Sequence, residues 1–274
     1  MRRLFFLLII LTTNALTAAV NPPVLKWWGK GGGPYLMYGG YAGSPAVADL
    51  DGDNRKEVIW ADYMIYVVDG ETGDPVWNVY TGHDRNYSGN EHAGNTYPAV
   101  AIADLGNDGA LEIITAHSTG IVSVYNSDGY FYNAHFPVDL KVNSELRSLC
   151  VADMNNDGVQ EIIVGSARTD DNDYDWYILN TEGQPFSGYP VRARVNSGHG
   201  TFNQNATVAD LDGDGDLELI GLSDNYFIHA LHHNGEHMHA GSFYDHKIWA
   251  KVPLWMDVES ELRGWAEDGE LQPK

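Results

Sequence analysis

The chain is 274 residues long, 43% hydrophobic and 12% aromatic, which is enough apolar side chain to bury a sizeable core and excludes global disorder. Its 38 acidic against 16 basic side chains leave a net charge of −22, which argues against nucleic acid and anionic membrane surfaces as partners. Cys150 is the sole cysteine, so no internal disulfide forms, and within Leu149-Cys150-Val151-Ala152 it reads as a small buried hydrophobe rather than a reactive thiol.

In chain order, residues 1–19 have the layout of a secretory signal peptide: Met1-Arg2-Arg3, an apolar run from Leu4 to Leu11, then Thr17-Ala18-Ala19. That run is short of the about 20 apolar residues needed to cross a bilayer, so the expectation is a secreted, extracellular, periplasmic or cell-surface protein with no membrane span after cleavage. Residues 20–43 hold a strand-like segment, Pro23-Val-Leu-Lys-Trp27, and a glycine-rich linker. Gly29 to Gly33 lacks the spacing of a phosphate-binding loop.

From residue 44 the chain repeats itself. Ser44-Pro-Ala-Val-Ala-Asp-Leu-Asp-Gly-Asp53, Pro98-Ala-Val-Ala-Ile-Ala-Asp-Leu-Gly-Asn-Asp108, Ser148-Leu-Cys-Val-Ala-Asp-Met-Asn-Asn-Asp157 and Asn205-Ala-Thr-Val-Ala-Asp-Leu-Asp-Gly-Asp214 align on Asp49, Asp104, Asp153 and Asp210. Each is followed by a Val/Ile-rich strand opening on Glu57, Glu112, Glu161 or Glu218, then a second strand. A turn at Asp69-Gly70, Asp128-Gly129, Glu182-Gly183 or Asn234-Gly235 and a more polar last strand complete the unit. The units fall at about 44–97, 98–147, 148–204 and 205–246, with 247–274 an incomplete blade or tail. Four short antiparallel strands in about 50 residues is the size of one propeller blade, so the predicted fold is an all-β propeller.

Numbered from the leading aspartate, positions 1, 3, 5 and 9 of the four loops are Asp49, Asp51, Asp53, Glu57; Asp104, Gly106, Asp108, Glu112; Asp153, Asn155, Asp157, Glu161; and Asp210, Asp212, Asp214, Glu218. Alternate oxygen-bearing side chains on a tightly curved loop converge on one point, a geometry suited to Ca²⁺, which takes about six to eight oxygen ligands, rather than to zinc. The position-7 carbonyls of Arg55, Ala110, Val159 and Asp216 complete the expected set, for three to four Ca²⁺ ions. Gly106 makes the second loop the weakest. An EF-hand is excluded, because its position-12 glutamate is replaced here by Trp60, Thr115, Val164 and Gly221, and strands flank the loops.

These repeats resemble the FG-GAP (VCBS-type) repeats of integrin alpha-subunit propellers and of secreted microbial proteins, over roughly Ser44 to His239. The resemblance implies calcium between the first two strands of each blade and a ring of about seven blades, whereas this chain has room for fewer than five at a spacing of 55, 49 and 57 residues. It is then a truncated product, a smaller ring or an open array, and truncation is the expectation.

His229, His232, His233, His237, His239 and His246 form a histidine-rich stretch without a metal motif; on strand, turn and strand their side chains should point apart. The loops Tyr80 to Tyr97 and Thr169 to Asp175 are polar and dotted with aromatics, where binding on a β scaffold usually resides. The expected function is an extracellular recognition or adhesion module for a protein or glycan ligand, without catalytic residues. The alternatives are an enzyme on a propeller scaffold, a polysaccharide lyase or quinoprotein-like dehydrogenase, and a lectin.

Overall fold

The computed structural model describes residues 24–27, 43–167, 174–192, 200–201, 205–222, 227–239 and 249–251. The expected leader, most of the glycine-rich linker and the tail beyond 251 lie outside these. Among the described residues there is no helix, and hence none long and apolar enough to cross a membrane.

Among the described residues, fifteen strands form four antiparallel meanders. The first sheet holds β1 (Ala46–Ala48), β2 (Glu57–Ala61), β3 (Met64–Asp69) and β4 (Pro75–Tyr80); the second holds β5 (Ala101–Ala103), β6 (Glu112–Ala116), β7 (Ile121–Tyr125) and β8 (Val138–Asp139). The third holds β9 (Leu146–Ala152), β10 (Glu161–Ser166) and β11 (Trp176–Leu179), with Val191 bridging to Trp176 where an outer strand would run. The fourth holds β12 (Thr207–Ala209), β13 (Glu218–Leu222), β14 (Phe227–Leu231) and β15 (Ala250–Lys251), so its outer strand lies beyond the boundary at 246 expected from sequence.

The repeat is repeated in register as well as in letters. Ala48 pairs with Glu57, Ala103 with Glu112, Ala152 with Glu161 and Ala209 with Glu218, so every acidic loop leaves and re-enters its sheet at the same rung.

The inner strands of the second and third sheets are apolar on both faces because a neighbouring sheet covers each face. On β6, Ile113 packs toward the first sheet with Ile59, Ile65, Trp77 and Tyr125, while Ile114 packs toward the third with Leu146, Ile162 and Val164. On β10, Ile162 faces back to the second sheet and Ile163 faces forward with Met154, Trp176, Ile178, Leu219 and Leu231. One Ile-Ile pair thus serves two interfaces, since successive strand side chains point to opposite faces. The sheets stack face to face in chain order as propeller blades, and among the described residues none of the three cores joins the fourth blade to the first.

The outer strands clasp the next blade through its turn. The Trp77 indole lies on Gly129, where an added Cβ would be 2.9 Å from the ring, and its Nε1–H donates to the Ser127 carbonyl at 2.8 Å. At the third blade the two contacts are divided: Val138 of β8 lies on Gly183, where an added Cβ would be 2.6 Å from its Cγ2, and Asn133, ahead of β8, donates from Nδ2 to the Thr181 carbonyl at 2.9 Å. Trp27 repeats the contact one blade upstream: it lies on Gly73 and donates to the Gly70 carbonyl at 3.2 Å. The likeness of the 23–27 segment to Pro75-Val-Trp77 therefore extends to the contact made, although residues 24–27 pair with no strand.

One turn differs from expectation. Gly129, Gly183 and Gly235 adopt positive φ as their dipeptides suggest, but in the first blade that role falls to Gly73 (φ 73°), because this turn is one residue longer and closes from the Gly73 N–H to the Asp69 carbonyl at 2.8 Å.

Candidate metal sites on the acidic loops

The alternation of aspartate with glycine or asparagine has a backbone cause. In all four loops positions 4 and 6 have positive φ: Gly52 and Asn54, Asn107 and Gly109, Asn156 and Gly158, Gly213 and Gly215. Only Gly, and to a lesser extent Asn, enters that region at low cost, so the chain coils tightly and the odd positions turn inward.

The inward carboxylates first organise the loop itself. Position 1 accepts from position 6 in three loops, Asn54 N–H to Asp49 Oδ2 at 2.9 Å, Gly109 N–H to Asp104 Oδ2 and Gly158 N–H to Asp153 Oδ2 at 2.8 Å, and from position 4 in the last, Gly213 N–H to Asp210 Oδ1 at 2.6 Å. Position 5 accepts from position 7, at 2.7 to 2.9 Å from the N–H groups of Arg55, Ala110, Val159 and Asp216. What the structure shows of position 7 is thus its N–H. The Arg55 side chain adds ion pairs to Asp53 at 2.9 Å and Asp69 at 3.2 Å. The Arg55 N–H, then its guanidinium, hold the Asp53 carboxyl below the usual range.

Position 9 plays a part not legible from spacing. Glu57, Glu112, Glu161 and Glu218 are all buried, and each accepts from the position-2 N–H, of Leu50, Leu105, Met154 and Leu211, at 2.8 to 2.9 Å through Oε2. Each glutamate pins its loop to the blade with one oxygen. Burial pushes the carboxyls of Glu57 and Glu112 up, and that of Glu161 up to about 7; the position-2 N–H opposes this and the neighbouring aspartates add to it.

In the first loop, oxygens of Asp49, Asp51 and Asp53 lie within 4.8 Å of one another, and in the fourth those of Asp210, Asp212 and Asp214 do the same. Asp49 Oδ1 is buried without a hydrogen-bond donor, a costly arrangement for a carboxylate unless a cation meets it. These residues fit a hard cation. The third loop carries Asn155 at position 3, whose Nδ2 donates to Asp157 Oδ2 at 2.9 Å. In the second, Gly106 leaves space that the Tyr132 hydroxyl occupies, 3.3 Å from where a Cβ would stand. Neither loop forms such a triad of acids among the described residues. Tyr132 was missed because it arrives from beyond the β7 turn.

Two of the histidines meet the fourth loop. His229 is buried, its Nε2 accepting from Trp176 Nε1–H at 2.8 Å, and burial lowers its pKa to about 3. His232 Nδ1 stands 3.2 Å from Glu218 Oε1, and His233 Nδ1 stands 3.0 Å from Asp216 Oδ2. His246 lies outside the described residues.

A cleft of about 250 Å³ opens where the loop after β4 folds back on the first blade, lined by Met64, Tyr80, Asp84, Arg85 and Tyr87. His83 stacks on Tyr87 at 3.7 Å between ring centroids.

The FG-GAP-like repeat family matches residues 153–221, from the leading aspartate of the third loop through the fourth loop and into β13. The other two loops share the same rung, the same pair of positive-φ positions and the same glutamate pin. The chain carries FG-GAP-type repeats. No curated protein sequence matches it. Among solved structures, the Vibrio cholerae (V. cholerae) biofilm matrix protein Bap1 is 21% identical with a TM-score of 0.41, over 78% of this chain and 41% of that one. BBS1N in complex with ARL6DN is 15% identical at 0.46 (73% and 53%), and the quinohemoprotein alcohol dehydrogenase from Comamonas testosteroni is 14% identical at 0.48 (77% and 38%). The chain spans about two fifths to half of these proteins.

Proposed function

We propose that this FG-GAP-repeat chain is an exported recognition or adhesion module whose acidic loops bind Ca²⁺ to hold the blades rigid. The observation that carries the reading is the first loop: oxygens of three aspartates within 4.8 Å of one another, with Asp49 Oδ1 buried and without a donor, on a loop already closed by its own backbone. Oxygen-only donors favour calcium, which would take Asp49, Asp51, Asp53 and Glu57 in the first loop and their equivalents in the others, with the position-7 carbonyls completing the set. In the second loop the Tyr132 hydroxyl stands in for the oxygen that Gly106 lacks. Calcium supplies fixed positive charge where the carboxylates crowd, while the chain's own residues supply the curvature and the attachment to the sheet.

Export is supported by the leader at residues 1–19. Recognition is supported by the aromatic cleft beside Tyr80 and Tyr87, on a loop held by a rigid sheet. Thermal melts of the chain in calcium and in excess EDTA, with an isothermal titration for stoichiometry, test the metal reading. A calcium-dependent rise in Tm with three or four ions bound supports it; no shift and no binding would end it. A glycan array and an assay of uronate polymers for new unsaturation separate adhesion from lectin and lyase activity.

A further inference from the structure

The fourth repeat departs from the other three at one position. The residue that opens the turn after the third strand is Asp69, Asn126 or Asn180 in the first three blades, and its side-chain oxygen caps its own turn. Asp69 Oδ1 accepts from the N–H groups of Glu71 and Thr72 at 2.8 and 2.7 Å, Asn126 Oδ1 from Asp128 and Tyr130 at 3.1 Å each, and Asn180 Oδ1 from Glu182 and Gln184 at 3.0 and 2.9 Å. In the fourth blade His232 stands there. Its backbone closes the same turn, from Gly235 N–H to the His232 carbonyl and from His232 N–H to the Glu236 carbonyl, both at 2.8 Å. The cap has passed to Asn234, which accepts from Glu236 N–H at 3.0 Å. The freed imidazole is directed back onto the acidic loop, with Nδ1 3.2 Å from Glu218 Oε1 and 3.8 Å from Asp212 Oδ2.

We propose that Asp212, Glu218 and His232 form a site for a borderline divalent ion of the zinc class. The three donors lie within 4.8 Å of one another. Zinc bonds of about 2.0–2.1 Å in tetrahedral geometry place ligand atoms roughly 3.3 Å apart, and 3.2 and 3.8 Å lie close to that figure. The ligands are held in advance. Glu218 is fully buried with Oε2 tied to Leu211 N–H at 2.8 Å, which presents Oε1 to the site, and the His232 carbonyl accepts from the Tyr189 hydroxyl at 3.2 Å. An imidazole nitrogen is a poor calcium ligand and a good one for zinc, cobalt or nickel. The site shares two carboxylates with the fourth calcium loop but does not depend on calcium being bound there, so one loop takes either ion and zinc displaces calcium from it.

The test is a titration of the full chain, freed of metal, with Co²⁺ followed by visible absorption and then with Zn²⁺ as competitor. The wild type should show one cobalt site with ligand-field bands that zinc abolishes. His232→Asn restores the residue type the other blades use and should fold; it is expected to lose those bands, to weaken zinc binding by about tenfold or more, and to keep its calcium-dependent melt. Asp49→Ala should lose the first loop's share of calcium stabilisation and keep the cobalt bands, which separates failure of this site from failure of the calcium reading. Absence of cobalt bands in the wild type, or His232→Asn binding zinc as the wild type does, overturns the proposal.

Discussion

Two kinds of acid share each loop, and they answer differently to substitution. Asp49 has one oxygen without a donor and one on the Asn54 N–H, so under the proposed calcium binding its worth is tied to the ion. Asp49→Ala should lower Tm in calcium by roughly 5–10 °C, the consequence of losing about 2.7 kcal/mol of linkage at a hundredfold excess over Kd, and should melt nearly like wild type in chelator. Glu57 is buried among aspartates and already occupied by the Leu50 N–H. Glu57→Gln keeps that acceptor and removes a buried negative charge, so it should leave stability in EDTA unchanged or raised and lower it in calcium. Melts of both variants in the two buffers check this, and a loss in EDTA equal to that in calcium would show the carboxylate charge itself to be structural.

At the scale of the element, blade contacts depend on glycines that let an aromatic ring lie on a turn. Gly129 has φ 81° and sits under Trp77, whereas Gly109 has φ 87° and open space around it. Alanine at Gly109 should cost about 1–2 kcal/mol of conformational strain alone. At Gly129 the same strain is joined by displacement of a nearly buried indole, so urea midpoints in chelator should fall further for Gly129→Ala; equal losses would mean that the ring yields freely. This is also the level at which the amino-acid sequence was most legible. The four loops, their odd-position acids and the strands after them could be read because each depends on local chemistry: positive φ, alternation, apolar runs. What could not be read depends on partners distant in the chain. Tyr132 reaching the second loop, Trp27 covering Gly73 and His232 turning back to Glu218 each join residues that no periodicity links. The longer first turn was misplaced on Gly70 because two glycines compete in Asp69-Gly-Glu-Thr-Gly73 and only the closing hydrogen bond chooses between them.

For the molecule as a whole, two buried histidines tie stability to pH. His117 lies among Thr96, Thr115 and Ser123, and His229 accepts from Trp176; burial lowers both pKa values from 6.5 to about 3. Between those values the unfolded chain binds a proton that the native imidazole refuses, so stability is fully present above pH 6.5 and falls as pH drops, by up to about 1.4 kcal/mol per pH unit for each ring. Melts in EDTA across pH 7.5 to 4.5 should show this slope, and His117→Gln should remove about half of the histidine share; an unchanged slope would show that other groups set it. The contact between Trp27 and the first turn carries a consequence for how such a chain can change length. Because Trp27, Trp77 and Asn133 each donate to the following turn at the same carbonyl position, Gly70, Ser127 and Thr181, duplicating or deleting one unit in the gene recreates an interface already present. An array built this way can gain or lose whole units over evolutionary time without any surface having to be invented.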